Sequence, residues 1–177
     1  MNVPDLAERD LQAKGRSTAA IVIVVALIAL VIAVGLFLAV GRSSGQSNDS
    51  DGYAQTVSVS ETTVVDQLKA LTGGEGGGEL STSKLPAWGA AAQAVGLTAD
   101  RLNALTAPGG LSVYHAALIA TYRLLSKEMG LAIADARAAD LVPLEQLSAG
   151  IRDRRSPLLL KIERVTQQID RAVHDGQ

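Results

Sequence analysis

The sequence predicts an all-α protein: a single N-terminal transmembrane helix, then a small extracytoplasmic helical bundle built around a long antiparallel helix pair. Three observations carry that expectation. Residues 18–40 form an uncharged, almost wholly apolar run; apolar residues downstream recur at spacings of three and four; glycine- and proline-rich stretches separate those patterns.

The run 18–40 is 23 residues long. At helical rise it spans about 34 Å, enough to cross a hydrocarbon core of about 30 Å with some tilt. Its β-branched stretch, Ile21 to Val25, reads as strand in water, but lipid leaves no partners for open backbone groups and only a helix fits. The rival reading is a secretory signal peptide, supported by the small-x-small pair Ala39 and Gly41. Signal-peptide apolar regions run only about 7–15 residues, so an uncleaved anchor is the expectation. Arg9, Lys14 and Arg16 precede the run, and only Arg42 follows it closely. That bias places 1–17 on the cytoplasmic side and everything after the run outside. Within it, Ala29/Ala33 and Gly35/Ala39 are small residues four apart, the spacing that lets a partner helix approach closely. It holds no ionisable residue, so no proton or ion path runs through it.

Beyond the run the chain carries 13 Lys/Arg against 15 Asp/Glu, and nothing forms a basic footprint for nucleic acid. Cysteine is absent, which excludes disulfides, Cys-ligated metal sites and thiol chemistry. Arg outnumbers Lys by 11 to 5 amid abundant Ala and Gly, a composition common in GC-rich bacterial genomes.

Residues 41–52 are polar and rich in Gly and Ser, and read as a flexible tether. Residues 53–72 form a short membrane-proximal segment. There Val57 and Val59 alternate like a strand, while Val64, Leu68 and Leu71 predict a helix from Glu61 to Leu71, capped by Ser60. Residues 73–79 hold five glycines in seven positions and read as a hinge, so a sub-boundary falls there, with the bundle proper over 80–177. They lack the Lys-Ser/Thr of a phosphate loop.

In the bundle, Pro86 to Val95 predicts a short helix ended by Gly96, and Thr98 caps another that closes at Pro108-Gly109-Gly110. Ser112 then caps a long helix to about Ala138, with Leu118, Tyr122, Leu125, Met129, Ala132 and Ala136 as a four-three seam. Gly130 weakens its middle. Pro143 opens a further helix carrying Leu144, Leu147 and Ile151. Ser156-Pro157 opens the last, with Leu158, Ile162, Val165, Ile169 and Val173 on one side. The two long stripes should pack antiparallel.

Chemical vocabulary is sparse. His115 sits three residues before Leu118 on the seam, facing core or partner. It lies 14 residues from Met129 on one helix, about 21 Å apart, so the two cannot ligate one haem iron. His174 lies near Asp170 in the last turn. Glu128 and Asp135 stand two turns apart, and no nucleophile-elbow, Glu-x-x-His or HExxH pattern occurs. No cofactor or metal is expected. Two features suggest contact surfaces. Trp88 is either a core anchor or an exposed hot spot. Arg152, Arg154 and Arg155 form either a solvated helix-end knuckle or a grip for an acidic partner or anionic head group. The expected function is a non-enzymatic, single-pass accessory or scaffold subunit of a larger bacterial membrane or envelope complex, respiratory and secretion assemblies among the possibilities. Its partners are then the lipid bilayer and other membrane subunits. The alternative is a membrane-tethered binding module for a lipid or envelope ligand.

Overall fold

A computed structural model describes residues 50–72 and 80–175. The expected membrane helix, with Ala29, Ala33, Gly35 and Ala39, lies outside the described residues, as do most of the tether and the glycine-rich segment 73–79. Among the described residues every regular element is helical, and no helix is long and apolar enough to cross a membrane.

Helix α1 runs Ser50–Thr72. It starts eleven residues before Glu61, so the strand-like valines belong to it and Ser60 lies in its interior. The reason is a continuous buried face: Tyr53, Ala54, Val57, Ser60, Val64, Leu68 and Thr72 recur at helical spacing. Packing of that face overrides the modest helix propensity of Val, Thr and Ser. The hydroxyls are satisfied one turn back without leaving the helix. Thr56 Oγ1 donates to the Gly52 carbonyl at 2.8 Å, Ser60 Oγ to Thr56 at 2.8 Å and Thr63 Oγ1 to Val59 at 2.7 Å.

After a 3₁₀ turn at Thr82–Lys84, α2 runs Leu85–Asn103 without a break. Gly96 therefore ends nothing, and Thr98 caps nothing; its hydroxyl donates back to Ala94 at 2.9 Å. Gly96 serves close packing instead. A Cβ there would sit 3.1 Å from Ser126 Oγ, which itself donates to the Ala92 carbonyl across the helix pair at 2.8 Å.

Helix α3 is Ser112–Arg137, entered through a turn in which Gly110 has a φ of 83°. Leu111, not Ser112, occupies the N-cap position. All six predicted seam residues, Leu118 to Ala136, are buried. Helix α4 is Val142–Arg152 and α5 is Pro157–Asp175. Ser156 directly precedes α5, as its Ser-Pro signal predicts, and its carbonyl accepts from Leu160 N–H at 3.0 Å.

Side-chain pairings fix the helix directions. Ser126 meets Ala92 and Arg123 meets Asp100, so α2 and α3 are antiparallel. Tyr53 bonds His115, near the starts of α1 and α3, so those two run the same way. Asp51 acts on His174, whereas Glu61 feels Thr166 and Glu163, so α5 opposes α1 and hence α3. Helices α1, α2, α3 and α5 form an up-down-up-down bundle in which α1 and α3, and α2 and α5, are diagonal; α4 packs on α3 and α1. One core runs through it, and Tyr53, Val57, Val64 and Leu68 of α1 belong to it. The glycine-rich segment thus separates two stretches of sequence that share a core.

Both C-terminal turns around α4 carry a left-handed residue that is not glycine. After α3, Ala139 has φ 72°, with Ala139 N–H bonding Ala136 and Asp140 N–H bonding Asp135. After α4, Arg154 has φ 53°, with Arg154 N–H bonding Ile151 and Arg155 N–H bonding Gly150. Each is a Schellman motif whose C′ position favours glycine, because a Cβ is strained in that region. Ala139→Gly and Arg154→Gly should each raise the urea midpoint, by about 0.5–1 kcal/mol of stability. A fall in the midpoint for both would contradict this cap geometry.

Candidate functional site

The basic knuckle follows directly from the second of those caps. Helix α4 ends at Arg152, Asp153 is its C-cap, and the left-handed Arg154 turns the chain toward Ser156. Arg152, Arg154 and Arg155 are all exposed; Arg152 Nε lies 3.4 Å from Asp153 Oδ1, a solvated neighbour pair of little energetic weight. The cluster is accessible from outside and is placed by a helix end whose dipole favours cations. Trp88 is different. It is 0 % exposed, its indole buried in the core, so of its two expected roles it offers no contact surface in this fold. It shares the buried face of α2 with Leu85, Ala91, Ala92 and Val95.

Two polar groupings inside the bundle have no signature in the sequence. At one end, Tyr53 Oη and His115 Nδ1 are 2.6 Å apart, with ring centroids 5.7 Å apart. Burial pushes the Tyr53 phenol up to about 12 and lowers His115, so both are held neutral. Tyr53 Oη and His115 Nδ1 share one hydrogen bond, whose donor is set by the imidazole tautomer. Ser112, the hydroxyl one turn away, is exposed and is not the partner of His115. The pair ties α1 to α3 across the bundle diagonal.

Midway along the bundle, Glu61 of α1 faces Tyr122 of α3 and Thr166 of α5. Burial raises the Glu61 carboxyl, Thr166 partly offsets this by favouring the anion, and Glu163 raises it again. Burial raises the Tyr122 phenol, and the Glu61 charge adds to that. Tyr122 Oη and Thr166 Oγ1 are both buried without a hydrogen bond, as is Trp88 Nε1. Position 122 was legible as seam, but its carboxylate neighbour lies 61 residues away in sequence, and no local pattern links them.

Because the folded-state pKa of Glu61 is raised, its contribution favours folding below the ordinary glutamate value of about 4.3 and is lost as pH rises through the folded value. Glu61→Gln removes the penalty on the ionised form. The variant should unfold at higher urea than the parent at pH 7, with the difference shrinking toward pH 4. His115 acts in the opposite sense: its lowered value stabilises the fold above about 6.5 and that contribution is lost as pH falls. A Glu61→Gln difference that stays constant from pH 4 to 7 would contradict this placement.

Among the described residues no three His, Asp or Glu side chains gather as a metal site. Neither a protein-family model, nor a curated protein, nor a solved structure matches this chain. Function therefore rests on the arrangement itself: a helical bundle with a neutral Tyr53–His115 pair and a half-buried Glu61, and an exposed arginine knuckle at a helix end.

Proposed function

We propose that this protein is a non-enzymatic, single-pass accessory or scaffold subunit of a larger bacterial membrane or envelope complex, anchored through 18–40 with its bundle on the extracytoplasmic side. The observation that carries the reading is the 23-residue uncharged run placed upstream of a helical bundle. The interior polar groups support it by their chemistry. His115 and Tyr53 satisfy each other and are both held neutral, which suits packing more than proton transfer. Arg152, Arg154 and Arg155 are the residues for an acidic partner. They stand near the end of α3 and the start of α5, whereas the described chain enters the bundle at Ser50 beside the end of α5.

The full chain, purified in mild detergent, should bring a second polypeptide at fixed stoichiometry. Recovery of this chain with no other protein counts decisively against the scaffold reading. The anchor is tested separately with Gln12→Cys and Ser47→Cys in intact cells: an impermeant thiol reagent should label the second and spare the first. The alternative, a tethered binding module for a lipid or envelope ligand, draws on the three buried polar atoms without partners. Native mass spectrometry of the full chain released from detergent separates it, since that reading requires a retained small molecule.

A further inference from the structure

Helix α3 carries a second apolar stripe on the side away from its buried seam. Val113, Ala120, Leu124, Leu131 and Ala134 all lie at the surface, with Val113 75 %, Leu124 47 % and Leu131 57 % exposed. Their separations of seven, four, seven and three fit a heptad in which Leu124 and Leu131 take one core position and Val113, Ala120 and Ala134 the other. Lys127, also exposed, fills the remaining core position of the repeat. The flanks of the stripe carry opposite charges. Arg123 precedes Leu124, while Glu128 and Asp135 lie on the other edge, and all three are exposed.

We propose that a second copy of this chain docks along this stripe, with the two α3 helices parallel. In a parallel pair, each residue on the first flank lies opposite the residue five positions later on the partner's second flank. Arg123 then meets the partner's Glu128, and the two-fold axis repeats the match. An antiparallel pair instead sets Arg123 against glycine at 130 and Glu128 against threonine at 121, with no ion pair. A lipid surface calls for basic residues along the polar edges of such a stripe, which Glu128 and Asp135 oppose. Arg123 already leans on Asp100 at 3.4 Å, but that pair is exposed and yields easily to a partner carboxylate. Alanines between the large residues let the helices approach closely, and Lys127 limits the affinity while fixing the register. The proposal stands apart from the scaffold reading: a chain purified alone but dimeric through α3 sinks that reading and fulfils this one.

The chain has no cysteine, so single substitutions report geometry without background. In the full chain in detergent micelles, Leu124→Cys and Leu131→Cys should each give a disulfide-linked homodimer on mild oxidation. Gln168→Cys, exposed on α5, is the reference. Yields at 124 and 131 no higher than at 168 overturn the proposal. With Leu124→Cys as background, Glu128→Arg should cut dimer yield by roughly tenfold, and adding Arg123→Glu should restore it. Failure of the double change to restore the yield overturns the parallel register. All these positions are on the surface, and circular dichroism of each variant separates loss of pairing from loss of fold.

Discussion

Trp88→Ala is expected to destabilise the bundle by about 3–5 kcal/mol, the usual range for removing a large buried aromatic side chain. Trp88 is fully buried and belongs to the core that α2 shares with its neighbours. The loss combines the transfer free energy of the indole with the void left where helices packed at Gly96 and Ser126 cannot slide together freely. Against a total stability of about 5–15 kcal/mol, that is a large share. Because Trp88 is the only tryptophan, the measurement is urea unfolding followed by circular dichroism. Trp88→Phe should cost distinctly less, since it keeps an aromatic volume and deletes the unpaired Nε1–H. Equal effects of Ala and Phe would mean that the indole is not packed as described.

Leu68→Asp should be more damaging still, above about 4 kcal/mol, and sufficient to abolish cooperative unfolding in a domain of ordinary stability. Leu68 is fully buried, four residues before the end of α1, and an aspartate there must either ionise in the core or fold as the neutral acid at a cost. A companion experiment removes α1 altogether. A chain starting at Leu80 exposes the faces of α2, α4 and α5 that α1 covers, so it should not give a cooperative transition, whereas the full chain should. A cooperative transition for the shortened chain, with the midpoint of the full one, would show that α1 is an appendage.

That last contrast also shows what a sequence can and cannot convey. The seams of α3 and α5 were legible because large aliphatic residues recur at three and four with few interruptions. The reach of α1 was not, because its buried face mixes Tyr53 and Ala54 with Ser60 and Thr72, whose polarity suggests an exposed or capping role. Only the hydroxyl bonds to carbonyls one turn back make those residues compatible with a helix interior. Gly96 was misleading for a related reason: glycine ends helices and also lets them touch, and the difference lies in Ser126, thirty residues away. The arginine knuckle could be placed at a helix end from sequence. The left-handed backbone at Arg154 could not, since arginine carries no local preference for it. The Tyr53–His115 and Glu61–Tyr122–Thr166 groupings join three helices, and long-range pairing of that kind leaves no periodic trace.

The opposed directions of α1 and α5 bring Ser50 and Asp175 to the same end of the bundle, where Asp51 acts on His174. Tension applied between those two points would open the molecule as a zipper. Successive turns of α1 and α5 would peel from each other in order, each rupture bearing the load alone, so yield would come at low force. The Tyr53–His115 bond lies one turn inside that end, across the diagonal to α3, and is the first latch such a pull must break after the outermost turn.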